Sequence, residues 1–215
     1  MRIDIFSDTI CPWCFIGKRR LEKAIESRGE EVEIHWRAFQ LNPEMPSAGM
    51  DRTEYLERKF GGPEGASQVY SRIEEVGRSE ALNFAFDRIS RTPNTVDSHR
   101  LVRFATNIGK QEELVERLFQ AYFTEGANIG DRKQLAEIAV EVGLDRAEVE
   151  EFLAGEDLKE EILAEDLFAR QQGIQGVPCF IFDGRYAVSG AQDPEVLMKV
   201  MDSLNAAAAE QSASE

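Results

Sequence analysis

The chain has 215 residues, 42% hydrophobic and 30% charged, a length that suits one core or one core carrying a substantial insertion. It sets 40 acidic against 25 basic side chains, a formal net charge of -15. That excess argues against nucleic acid or an anionic membrane surface as a partner, since both would be repelled, and reads as a device for solubility.

"RIDIFS" alternates as a first strand, with Ile3 and Ile5 on one face. It carries Asp4, is followed by Asp8, and lacks the long apolar region of a secretory signal; no run further on reaches bilayer length. The expected setting is therefore the cytoplasm. A helix is predicted from about Pro12, with Gly17, Leu21, Ala24 and Ile25 on one side, then a second strand in "VEIHWRAFQL". From Pro43 to Gln172 the periodicity is helical. Val69, Ile73 and Val76 form one stripe; Leu101, Phe104, Ala105 and Ile108 a second. Leu114, Leu118 and Tyr122 form a third; Leu135, Ile138, Ala139 and Val142 a fourth. Asp131 and Asp145 open stretches with capping-box spacing, and Gly109, Gly126, Gly143 and Gly173 sit where helices should stop. "PCFIFD" and "AVSG" read as two further strands joined tightly through "GRY". A last helix starts at Asp193–Pro194, and the small, polar end from 206 to 215 reads as a frayed tail. The predicted fold class is α/β: strand–helix–strand, a helical block, then strand–strand–helix. Neither end alone has enough strands for a sheet, so 1–42 and 173–210 should form one layer, with 43–172 inserted.

The chemistry centres on Cys11 and Cys14 in "SDTICPWCFIGKRR". Three cysteines, with Cys179 far downstream, do not make a disulfide framework. A structural zinc site needs four ligands, and the sequence offers one C-x-x-C pair, a lone Cys179, His35 and His99; no metal is expected. A buried, inert pair is the bland reading. Placement favours a redox pair. Pro12 suits the first helical position, so Cys11 falls near the N-cap, where free N–H groups and the positive helix end favour its thiolate. Cys14, one turn on, is the natural resolving thiol.

"CPWC" at the start of a first helix, a helical insertion, and "GVPCFIFDGRYAVSGAQ" near the end resemble the DsbA-like branch of the thioredoxin superfamily, and within it the cytoplasmic FrnE-like group, over essentially the whole chain. The resemblance implies a thioredoxin fold with a large all-helical insertion and a cis-proline at Pro178, which alone would read as a trans, strand-start proline. It implies that Val177 offers its backbone to an extended substrate beside Cys11, that the loop keeps metal from entering between the sulfurs, and that Pro12 and Trp13 tune the reduction potential. It also suggests that the helix starting near "NTVDSHR", capped by Asn94 or Thr95, roofs the site, so that Asn94 and His99 line the cleft. The bland reading of His99 is a silent helix-surface histidine, and His35 reads as exposed. Cys179 departs from the family pattern. It reads as a buried small hydrophobe turned away by strand alternation, with a third reactive thiol as the sharper alternative.

The function expected is a thiol–disulfide oxidoreductase acting on protein disulfides or dithiols, or on glutathione, with no bound cofactor. A Gly-rich phosphate loop after a strand is lacking, and the aromatic positions Phe104, Phe119 and Tyr122 read as core. A glutathione-dependent isomerase or transferase of kappa type is one alternative, which the intact C-x-x-C argues against. A non-catalytic redox-switch or chaperone protein is the other.

Overall fold

The computed structural model describes residues 1–212. Strand β1 (Arg2–Ser7) pairs in parallel with β2 (Glu33–Ala38), and helix α1 (Pro12–Arg28) connects them. After β2 the chain forms β3 (Met50–Asp51), α2 (Arg52–Phe60), α3 (Pro63–Ser79), β4 (Arg91–Thr92), α4 (Val96–Thr106), α5 (Gln111–Gln120), α6 (Arg132–Glu141), α7 (Arg146–Ala154) and α8 (Lys159–Gln171). It returns through β5 (Cys179–Phe182), β6 (Tyr186–Ser189) and α9 (Pro194–Ser212). The four-stranded sheet has the order β2-β1-β5-β6, with β5 antiparallel to both β1 and β6. The segments at the two ends of the chain thus complete one sheet, and the helices stand between them in sequence.

Strand alternation sorts the side chains. Ile3, Ile5, Trp36, Phe180 and Phe182 join the large core with α1, α9 and the inserted helices. Phe6 and Cys179, register partners across β1 and β5, turn to the other face and pack with Phe39 and Ala169 of α8. A ladder of rings ties α1 to the insertion: Phe15 stacks on Phe119 at 5.0 Å and meets Phe84 edge-on at 6.2 Å. Lys18, only 4% exposed, reaches Glu112 at 2.8 Å and Glu116 at 3.1 Å on α5 and pairs with Glu22 on its own helix. The carboxylates hold this buried ammonium charged, above the ordinary lysine value, against the opposing effect of burial.

The predicted starts and stops form, with local differences. Asp131 accepts from the amides of Lys133 and Gln134, and Asp145 from that of Glu148. The Gln134 side chain accepts instead from Asn128 N–H, so the reciprocal arm of a capping box does not close. The stripes place Ile73, Leu101, Ala105, Leu114, Leu118, Tyr122, Leu135, Ile138 and Ala139 inside, while Val69 and Ile108 lie exposed at stripe edges. α5 continues into a π-helical turn, Ala121–Glu125, before Gly126 ends it in the left-handed region. The block read as all helix also carries the β3–β4 pair, too short for alternation to reveal. α9 runs on through residues 206–212, read as a frayed tail, because alanine is the strongest helix former; 213–215 lie outside the described residues. Among the described residues, no helix is long and apolar enough to cross a membrane.

Candidate active site

Cys11 is the N-cap of α1, with extended backbone (φ -94°, ψ 111°) and Pro12 following at the helix start. The turn from β1 is tight: Cys11 N–H donates to the Asp8 carbonyl at 3.0 Å, and the Cys11 carbonyl accepts from Cys14 N–H at 3.0 Å. The helix begins here because proline costs nothing at a position whose N–H would be unpaired anyway. Both thiols are free and buried, Cys11 3% and Cys14 1% exposed.

The two sulfurs differ. Burial, aided by a hydrogen bond with Cys11 and by negative charge there, pushes the Cys14 thiol well above the ordinary value of 9.0. The Ser7 hydroxyl and the Asp8 amide oppose that rise without overcoming it. Cys14 therefore holds its proton near neutral pH.

The Val177–Pro178 peptide is cis, and the Cys11 thiol lies 3.5 Å from the Val177 carbonyl, to which it donates. The Pro178 carbonyl in turn accepts from Gly190 N–H at 2.8 Å, pinning the loop to the turn before α9. Gly17 makes this approach feasible: a Cβ there would stand 2.9 Å from Pro178 Cγ and 3.1 Å from Phe180 Cζ. Gly17→Ala is expected to shift the proline loop away from Cys11. Exchange should slow roughly tenfold while stability falls by about 1–3 kcal/mol, checked by paired insulin-reduction and urea-unfolding assays.

Trp13, with Pro12 between the thiols, is half-buried and packs on the core edge. Asn94 acts as a staple: Oδ1 accepts from Val96 N–H at 2.9 Å, and Nδ2 donates to the Met45 carbonyl at 2.7 Å. It thereby performs the capping at the start of α4, since Thr95, the N-cap by backbone, makes no side-chain cap. His99 is buried rather than on the helix surface, 5% exposed, with Nε2 3.4 Å from Oδ1 of the fully buried Asp8. Asp8 Oδ2 accepts from Leu41 N–H at 2.7 Å. His99 thus reaches the cysteine loop through Asp8. His35 is half-buried and shares a 2.7 Å hydrogen bond with Glu33. Cys179 sits with Phe6 and Phe39 on the opposite face of the sheet, and burial raises its thiol above the ordinary value. Among the described residues, no group of three or more His, Cys, Asp or Glu side chains could hold a metal ion.

Ser7, Asp8 and Gly17 were not singled out as site residues from the sequence. The available signal was Asp8, an acid three residues ahead of Cys11 at the end of an apolar strand.

A thioredoxin-type sheet with a dithiol at the start of its first helix, a cis-proline loop against it and helices inserted between the halves defines a DsbA-like thioredoxin fold. The chain belongs to the DSBA-like thioredoxin domain family, whose profile matches residues 2–202. It is 31% identical over 204 residues to the uncharacterised protein YwbO of Bacillus subtilis (strain 168), covering 94% of this chain and 96% of that one. The structure resembles that of a probable DsbA oxidoreductase from Streptomyces coelicolor, with a TM-score of 0.84 at 33% identity, over 93% of this chain and 88% of the other. It shares its fold with the cytosolic disulfide reductase DsbM from Pseudomonas aeruginosa, with a TM-score of 0.68 at 17% identity, over 95% and 98% of the two chains.

Proposed function

We propose that this protein is a thiol–disulfide oxidoreductase of the FrnE-like group, working in the cytoplasm through Cys11 and Cys14. The observation that carries the reading is the asymmetric buried dithiol, with Cys11 against the cis-proline loop and Cys14 held protonated behind it. The name of the DsbM neighbour supports a cytosolic setting by analogy.

In the reductive direction the Cys11 thiolate attacks one sulfur of a substrate disulfide, forming a Cys11–substrate bond and expelling the other sulfur as thiolate. Cys14 then gives up its proton and attacks the Cys11 sulfur. The substrate leaves as its second thiolate, and two electrons have passed from the Cys11–Cys14 dithiol to the substrate. The two protons released by the protein thiols end on the substrate thiols. The oxidative direction reverses each step. The backbone of Val177 aligns an extended substrate across Cys11. The thiols carry the electrons themselves, so the cycle needs no bound cofactor.

Insulin reduction with dithiothreitol as electron source tests the reading. Wild-type protein is expected to accelerate precipitation of the insulin B chain, and Cys11→Ser to give the uncatalysed rate. Equal activity in the two proteins would refute it and favour a binding or chaperone role.

A further inference from the structure

Asp8 lies in the turn between β1 and α1 and is fully buried. Its carbonyl accepts from Cys11 N–H at 3.0 Å, which fixes the turn ahead of the helix. Its Oδ2 accepts from Leu41 N–H at 2.7 Å. Its Oδ1 faces Nε2 of His99 at 3.4 Å, and both atoms are buried with no other partner. Two such atoms satisfy one another when the imidazole carries its proton on Nε2. Next along the turn, Thr9 Oγ1 shares a 2.8 Å hydrogen bond with Ser98 Oγ. Ser98 Oγ itself donates to the Thr95 carbonyl at 2.9 Å, so Thr9 is the donor of that pair. Two adjacent residues in the first turn of α4 thus meet two adjacent residues of the cysteine turn, all four of them buried.

The contacts close a ring. Asn94, just ahead of α4, donates to the Met45 carbonyl at 2.7 Å, and the segment 41–45 returns to Asp8 through Leu41. α4 is one of the inserted helices, so the insertion grips the nucleophile's turn directly. The crevice beside the ring is lined by Ser7, Thr9, His99 and Val102 and holds about 10 Å³, the lower limit for a single water. It supplies no solvent layer to replace a lost donor. The cations at its rim, Arg37 and Arg103, are committed to Glu165. His99 is therefore the donor that remains for Asp8 Oδ1. A buried carboxylate short of a donor is costly, and the backbone that carries it shifts to find one.

We propose that His99 is a positioning residue for Cys11. It completes the hydrogen bonding of the buried Asp8 carboxylate, and with Ser98 it clasps the turn that sets the nucleophile against the Val177 carbonyl. The inference rests on the dithiol reading and adds to it a residue that acts through Asp8. Loss of the His99 donor loosens the Asp8 carbonyl that Cys11 N–H uses, and the sulfur leaves its place at the helix start.

The test follows the first step of exchange in the full chain carrying Cys14→Ser, where the adduct persists. The probe is hydroxyethyl disulfide, which is neutral. The Cys11 thiolate bonds to one sulfur and the other half leaves as the thiolate of 2-mercaptoethanol; acid quenching and peptide mass spectrometry count the adduct. His99→Leu is expected to slow its formation about tenfold. His99→Gln keeps an amide donor and should stay within about threefold of the parent. In an added Asp8→Asn background, His99→Leu should change the rate by less than about twofold, because no buried carboxylate is left to satisfy. Ser98→Ala, which leaves the imidazole in place, should slow the step by about threefold and carries the test if His99→Leu does not fold. Cys179, buried on the other face of the sheet, reports folding in the same spectra by staying unmodified. A parent-like rate in His99→Leu or Ser98→Ala, equal slowing by Leu and Gln, or equal slowing with and without Asp8 would overturn the clasp. Failure of the parent to form an adduct at Cys11 would instead sink the dithiol reading.

Discussion

Replacing Cys14 with serine is expected to arrest exchange at the mixed disulfide. Cys11 remains at the helix start against Val177, so attack on substrate proceeds. Resolution requires a second sulfur, and serine offers no thiolate. Turnover on insulin should fall on the order of 100-fold, and non-reducing gels should show a covalent adduct that Cys11→Ser lacks. The same geometry predicts a pH dependence for the wild type. Burial holds the Cys14 thiol above its ordinary value, and only the thiolate attacks. The resolving step should therefore quicken as pH rises from 7 toward that raised value, measured as decay of a preformed Cys11 adduct. Adduct that accumulates equally in Cys11→Ser, or that clears at a pH-independent rate, would contradict the assignment of roles.

The second large effect concerns stability. Arg100→Ala is expected to destabilise the fold by about 3–5 kcal/mol, because Arg100 is fully buried and joins three elements. Its guanidinium donates to the carbonyls of Asp157 at 2.7 Å, Gly155 at 2.9 Å and Phe152 at 3.2 Å, and to Asp97 at 2.6 Å. It also covers the Phe152 ring at 4.9 Å. Removal orphans carbonyls at the end of α7, leaves a cavity, and takes one of two cations from Asp97, the other being Arg132 at 2.8 Å. Urea unfolding measures the loss, and the melting temperature should fall by about 10 °C. Arg100→Lys should recover only part of it, since an ammonium does not reproduce the planar fork. A loss under about 1 kcal/mol would show that the neighbouring carbonyls find other partners.

Much of this fold was legible because its cues are local. Period-two alternation marks β1 and β2, and Pro12 and Pro194 mark helix starts. Glycines at 109, 126, 143 and 173 adopt the positive φ that stops a helix. The dithiol and the proline loop were readable as two motifs, each written in adjacent residues. What escaped depends on contacts between distant segments. Nothing in "SRTPNTV" announces a two-residue strand, because alternation needs several residues to show. The burial of His99 follows from Asp8, 91 positions earlier, which packs beneath α4. Gly17 read as one small residue on an apolar helix face, and only the fold brings Pro178 against it. Arg100 carries no local cue to its burial. Its role appears once the carbonyls at the end of α7 close around it.

The central claim is that Cys11 and Cys14 form one reversible two-electron couple, while Cys179 stands apart on the other face of the sheet. The most direct test equilibrates the protein in graded ratios of reduced to oxidised glutathione, quenches with acid, alkylates, and maps the labels by mass spectrometry. The expected result is a single transition in which Cys11 and Cys14 gain and lose their labels together, with Cys179 labelled at every ratio after unfolding. Independent titration of the two cysteines, or a disulfide that includes Cys179, would contradict it.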